Sequence, residues 1–554
     1  MVKSMNFYDK ICLFFSEPRK VLILTFCAGV LLAFISILFS GFIYGDAVLY
    51  TTMAHYFGLG DYSRGFLDQI PPLFSVLSGL LCKLGIPAQY STHIVSCTLC
   101  IISIFPLYFL LCFFMDKKYA AWGCMFYLFA PKILRFGMAS QIEGARFFFL
   151  ILPIYFVFSF AKNKKIPTLI WLGISFALLA LVRGEGILFV PIMLFALILL
   201  LFKNNQYNIN SNFIIKTFGY CLLSIIIMFA IIAPRMYQVY QHTGYPALDA
   251  RETESIKTYW RKIKNFYNKP TRIISHHNVP SLSDQGNNQG HFFSFKRIFS
   301  FLDRFSVGSY ELYEILSVLG IFFLLRQKKW SLEHNIMLMF ILWNALIFYF
   351  IVLTYRYFLV NVFLLIPFII PGYRLILNIT KKHKIVQILF SITVLLIALG
   401  QIENGMADSL ESKRKEPKRF GQWLKENKAS LLNPQKNNNE RLHILVFGNR
   451  PDYPFFADAD FSIGENQDFP NIRGIENSKM NIRKAVKGFP AKYSYYTNKL
   501  LPLDEIIIPD IIVITPPEDF PEEVAIVRSI SNLREIKTNF KDFLLFKNLN
   551  YLKR

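Results

Sequence analysis

Residues 71–84 read PPLFSVLSGLLCKL, an apolar run of about 13 residues opened by two prolines and interrupted near its end by Lys83. A helix needs about 20 predominantly apolar residues to cross a bilayer, so this run is too short to span. It predicts a helix lying at the membrane interface. The choice decides the orientation of everything after it, because one extra span inverts every later loop.

Outward from this segment the chain is dominated by longer apolar runs. The 554 residues are 54% hydrophobic and include 57 Phe, and the mean hydropathy is +0.37. That is more apolar surface than one soluble core of this length buries. Runs such as Ile101 to Met115 and Phe147 to Phe160 are apolar on all sides, which suits lipid contact or burial in a helix bundle. About eleven spans are expected, near 21–43, 93–114, 119–138, 144–161, 166–182, 186–202, 213–233, 311–325, 335–353, 357–372 and 385–400. The first reads as a signal anchor, since it is long enough to span and lacks a small-residue cleavage site.

With residues 72–84 non-spanning, the basic clusters all fall on one side. They are Lys3, Lys10, Arg19 and Lys20; Lys117 and Lys118; Lys162, Lys164 and Lys165; Lys203; Arg326, Lys328 and Lys329; and Arg374, Lys381, Lys382 and Lys384. The positive-inside rule makes that side the cytoplasm. The net charge of +23 is therefore read as topology signal and attraction to anionic membrane lipids, and nucleic acid is not an expected partner. The outer side receives a first loop at 44–92, a long loop at 234–309 and everything after residue 400.

The expected architecture is an α-helical polytopic membrane domain over 1–400 and a small soluble α/β domain over 401–554. In the second, His443 to Phe447, Ile506 to Thr515 and Asp542 to Phe546 read as strands, and Arg419 to Asn427 and Glu476 to Val486 as helices. All eight Cys lie at or before residue 221, so no disulfide is expected in the tail. Cys97 and Cys100 form a CxxC inside an apolar run with no second pair, which argues against a metal or redox centre.

Ionisable groups at membrane depth are costly, and five places carry them at the outer ends of the expected spans. Asp46 follows the first span and Glu143 opens the fourth. Arg183 and Glu185 sit in Arg-Gly-Glu-Gly (183–186), Arg235 closes the seventh span after Pro234, and Arg356 lies between Tyr355 and Tyr357. Arginines recognise phosphate oxygens with a fixed fork of donors, and a carboxylate takes a proton from an attacking hydroxyl or amine. Each residue also has a structural reading. Glu143 suits a helix N-terminus and stands one turn from Arg146, Asp46 suits a loop, Arg183 and Glu185 suit an ion pair in a turn, and Arg235 and Arg356 suit interfacial anchors.

The order of Asp46, Tyr50, Pro71-Pro72-Leu73, Glu143, Arg183 to Gly186, Ala233 to Arg235 and Arg356-Tyr357 resembles the GT-C class of glycosyltransferases. Within it, the likeness is to the family 39 group: protein O-mannosyltransferases, bacterial aminoarabinose transferases acting on lipid A, and lipopolysaccharide-core transferases. That family often has Asp-Glu in the first loop and Lys before the paired prolines, where this chain has Asp46-Ala47 and Ile70. The resemblance implies an inverting transfer of a sugar from a polyprenyl-phosphate donor to a lipid, glycan or protein acceptor, on the outer face of a bacterial inner membrane. It implies Asp46 as the base and Glu143 as a second catalytic acid or positioning group. Arg356, Arg183, Arg235 and Tyr355 would hold the donor phosphate, and Tyr50, Glu185 and Gln69 the substrates. The resemblance fixes no cofactor, and a divalent metal on Asp46 and Glu143 is compatible with carboxylate chemistry. A secondary transporter or lipid flippase is the competing reading, but its polar residues would sit near mid-span instead of at the span ends.

Overall fold

The computed structural model describes residues 17–39, 46–66, 70–205, 211–243, 246–249, 300–306, 311–350, 355–379, 416–432, 442–447, 460–463, 489–490, 506–507, 509–514, 524, 528–530, 533–540 and 543–549. The chain divides into two units, each compact by itself. One comprises Met1–Ser40, Thr92–Gln238 and Phe292–Asp408, the other Gly41–Ser91, Val239–His291 and Ser409–Arg554.

The first unit is helical. Among the described residues its helices include α1 (Pro18–Phe39), α4 (Ala88–Ile102, entered from the other unit and resumed after Ser103 over Ile104–Leu111), α5 (Lys117–Leu128), α6 (Pro131–Gly137), α7 (Glu143–Asn163), α8 (Ile166–Val182), α9 (Val190–Asn204), α10 (Ser211–Thr243), α11 (Glu311–Arg326), α12 (Leu332–Phe350) and α13 (Asn361–Ile379). Among the described residues seven helices are long and apolar enough to cross a membrane, or eight if the bent pair Ser300–Ser306 and Glu311–Arg326 is one span. The protein is a membrane protein. α8 is apolar but has only 17 residues, and the expected span at 385–400 lies outside the described residues.

Two expected spans differ in form. The run at 119–138 is broken into α5 and α6, because Ala130 is extended where it precedes Pro131 and the proline restarts the helix at its first turn. The seventh span does not stop at Pro234; α10 continues to Thr243 with the proline inside it. A proline removes only one backbone hydrogen bond, and a long apolar helix absorbs that loss. Arg235 therefore sits within a helix.

Packing in this unit is tightest where side chains are absent. A Cβ on Gly320 of α11 would land on the Phe368 carbonyl oxygen of α13, and one on Gly372 of α13 would land on the Leu316 carbonyl oxygen of α11. The two backbones touch, the small-residue solution to helix association where no hydrophobic drive operates between helices.

In the second unit, α2 (Asp46–Leu59) packs on α3 (Leu73–Lys83), the helix formed by the decisive short run. Gly58 faces the Cβ of Cys82 and Gly79 faces that of Phe57, so this pair is also glycine-mediated. Among the described residues the tail contributes α14 (Glu416–Glu426) and seven strands: β1 (His443–Phe447), β2 (Asp460–Ile463), β3 (Phe489–Pro490), β4 (Ile506–Ile507), β5 (Ile511–Ile514), β6 (Leu533–Ile536) and β7 (Leu544–Asn548). Five of them form a sheet in the order β2-β1-β5-β7-β6, with β2, β1 and β5 parallel and β7 antiparallel to both of its neighbours, β5 and β6. All four residues of β5 are buried, as in a strand covered on both faces. Phe420 of α14 stacks on Phe543 with ring centroids 4.3 Å apart. The strand expected over 506–515 is two strands, and Asp510, just before β5, accepts the backbone N–H of His443 at 2.7 Å. The helix expected at 476–486 lies outside the described residues.

Candidate functional site

The site in the first unit is assembled by three backbone irregularities. α7 begins at Glu143 after the turn 138–142, and that turn is pinned from two other helices. Ser36 of α1 donates its hydroxyl to the Met138 carbonyl at 2.8 Å, His93 Nε2 lies 2.7 Å from the same carbonyl, and Thr92 and Ser140 share a 2.6 Å hydrogen bond. Gly144 lets the helix start against the Ser96 and Gly137 backbones, where a side chain would clash. The second irregularity is Arg183, whose extended backbone ends α8 before a 3-10 turn at Gly184–Phe189. The third is the 3-10 turn Tyr355–Val360 that leads into α13.

These three places meet at one carboxylate. Glu143 is fully buried, and its Oε1 accepts hydrogen bonds from Arg356 Nη2 at 2.8 Å and Nε at 3.2 Å. Arg183 Nη1 stands 3.6 Å from the same oxygen, and Arg183 Nε donates to Glu185 Oε2 at 3.2 Å. Arg146, one turn along α7, is also buried. Its Nη1 and Nη2 make long hydrogen bonds of 3.5 and 3.4 Å to the carbonyls of Arg356 and Tyr357.

Tyr357 organises the cations. The Arg183 guanidinium carbon lies 4.4 Å from its ring centroid and that of Arg146 5.5 Å, while Phe348 stacks on the ring at 4.4 Å. Asn344 of α12 donates to Asn361 Oδ1 at 3.1 Å and to the Tyr357 carbonyl at 3.5 Å, tying the turn to two helices. Three guanidinium groups thus face two carboxylates around a partly open centre: the side chain of Arg356 is 26% exposed and that of Arg183 16%. Clustered cations in such largely buried surroundings suit an anion, because solvent competes only weakly for them.

Of the sequence candidates, the structure brings together Glu143, Arg183, Glu185 and Arg356. Arg235 is buried and donates to Gln238 Oε1 at 2.9 Å, one turn along its own helix. Asp46 is the first residue of α2, and Tyr50 is buried in that helix with its ring edge-on to Phe74 at 5.4 Å. The side chains of Asp46 and Tyr355, and all of Gln69, lie outside the described residues. Glu143 does not fit a metal: its Oε1 is taken by two arginines, and the surrounding guanidiniums repel a dication. Among the described residues no three His, Cys, Asp or Glu gather to hold one. Asn344, Asn361 and Phe348 are additions. The two asparagines carry a signal in the sequence, an amide inside an apolar run, whereas Phe348 carries none among 57 Phe.

Comparison with known proteins bears on this geometry. Residues 69–237, which include Glu143, Arg183 and Arg235, match the family model described as dolichyl-phosphate-mannose-protein mannosyltransferase. No curated protein matches the chain in sequence. Among solved structures, ArnT from Cupriavidus metallidurans bound to undecaprenyl phosphate is similar over 95% of this chain and 97% of its own, with 11% identity and a TM-score of 0.55. The same protein in the apo state is similar over 96% and 98%, with 12% identity and a TM-score of 0.55. At that identity the structural likeness shows the fold, and the family match covers residues 69–237, under a third of the chain. The chain is a membrane protein with the fold of ArnT, and within it residues 69–237 are similar to the mannosyltransferase family model.

Proposed function

We propose that the chain moves a sugar from a polyprenyl-phosphate donor to a lipid, glycan or protein acceptor on the outer face of a cell membrane, with inversion at the anomeric carbon. The carrying observation is the convergence of Arg356 and Arg183, both partly exposed, on the buried carboxylate of Glu143. In the transfer the bond from the anomeric carbon to the donor phosphate breaks as the acceptor oxygen or nitrogen bonds to that carbon. The negative charge that grows on the departing phosphate is what fixed guanidiniums stabilise. Asp46, at the head of α2, takes the acceptor proton. Glu143 is a positioning residue that holds Arg356 and Arg183.

An open, mostly apolar groove of about 450 Å³ supports a lipid-linked donor. Ile192, Leu338, Met339, Leu342, Trp343 and Leu346 line it together with Asn335, and Trp343 Nε1 donates to the Leu188 carbonyl in the turn that carries Glu185. A prenyl chain suits such a lining. The undecaprenyl phosphate held by ArnT points to the same class of carrier.

The test is sugar transfer by the purified full chain in detergent, read against a panel of polyprenyl-phosphate sugars. Asp46→Asn is expected to lose about 100- to 10,000-fold in kcat, and Arg356→Ala about 100-fold or more. Full retention of transfer by either variant removes that residue from the proposed role.

A further inference from the structure

The ion pair at Glu143 poses a problem once Arg356 turns to a phosphate. A fully buried carboxylate that loses its two hydrogen bonds from Arg356 keeps only the 3.6 Å contact to Arg183, itself a candidate for the phosphate, and that loss would oppose donor binding. Three details around Glu143 bear on how the chain meets it. First, both hydrogen bonds from Arg356 fall on Oε1, while Oε2 is buried and takes no hydrogen bond among the described residues. Second, Arg146 stands three residues further on α7, the spacing that places two side chains side by side on a helix, and its residue is only 3% exposed. Third, its own hydrogen bonds are long, 3.5 and 3.4 Å, and both go to carbonyls of the segment that carries Arg356.

We infer that Arg146 is the reserve counter-ion of Glu143: when Arg356 swings from Glu143 to a phosphate, Arg146 moves onto Glu143 Oε2. The inference rests on the reading of this site as phosphate-binding. The exchange keeps the buried carboxylate paired throughout, so Arg356 is released without exposing an uncompensated charge. The rings of Phe348 and Tyr357, 5.4 and 5.5 Å from the Arg146 guanidinium carbon, offer flat surfaces along which it slides without losing its aromatic contact. Arg146 acts through Glu143 and Arg356, as a positioning residue.

The test is the affinity of the full-length protein in detergent for farnesyl phosphate, measured calorimetrically for a double-mutant cycle. Arg146→Gln is expected to weaken binding about 10- to 100-fold, since Arg356 then leaves Glu143 with no more than the 3.6 Å contact to Arg183. Arg146→Lys, which keeps the charge, is expected within about threefold of wild type. In a Glu143→Gln background there is no buried charge to compensate, and adding Arg146→Gln is expected to change affinity by less than about twofold. Equal losses in both backgrounds would show a packing role and overturn the exchange, as would an Arg146→Gln protein that binds like wild type. Folding of each variant is checked by its melting temperature without ligand. A wild-type protein that binds neither farnesyl phosphate nor inorganic phosphate overturns the phosphate reading itself, and the exchange with it.

Discussion

Two contacts in the helical unit hold helices together by opposite means. Between α11 and α13 the chain removes side chains, so that Gly320 and Gly372 let two backbones touch. Around Glu143 it brings in five charged groups, Glu143, Arg146, Arg183, Glu185 and Arg356, and ties them to three irregular turns. The first contact gains dispersion at almost no desolvation cost. The second sacrifices desolvation energy to keep cations fixed, and a buried ion pair is weak evidence of stability for its own sake. The glycine contact is therefore scaffold, and under the proposed function the charged one is a place where stability is given up for binding.

The comparison breaks most visibly at the glycines. Gly320→Val is expected to yield little folded protein, because its Cβ would occupy the Phe368 carbonyl oxygen; the destabilisation is about 4 kcal/mol or more. Size-exclusion chromatography and a melting curve in detergent check it, and a monodisperse variant melting like wild type would show that the helices can part. Next in size is Glu143→Ala, which leaves Arg356 and Arg183 without their shared carboxylate and is expected to cost about 3 kcal/mol. Sugar transfer should fall further than the loss of folded protein explains, and a fall in proportion would make Glu143 scaffold too. The smallest effect belongs to Lys203, which pairs with Glu333 at 2.7 Å with its side chain over a third exposed. Lys203→Met is expected to cost less than about 1 kcal/mol and to leave sugar transfer unchanged. A large loss of transfer there would extend the functional charges beyond the Glu143 centre.

The sequence by itself determined that the chain enters a membrane, because apolar runs of spanning length are a one-dimensional property. It also singled out Glu143, Arg183, Glu185 and Arg356, because charge is costly wherever lipid surrounds it. The short run at 71–84 could be read as a separate helix from its length alone, and Leu73–Lys83 is that helix. Only the tertiary structure decided which charges meet. Glu143 and Arg356 are 213 residues apart, and its pairing with Arg356 instead of Arg146 follows from how the 3-10 turn before α13 presents Arg356. Helix continuity was equally out of reach. Pro234 and Pro131 look alike in sequence, yet α10 runs through one and α5 ends just before the other, since neighbouring helices determine whether a broken backbone hydrogen bond is tolerated or becomes a kink. The close approach at Gly320 and Gly372 was likewise invisible, because a glycine in an apolar run shows its purpose only when the backbone it admits is in place.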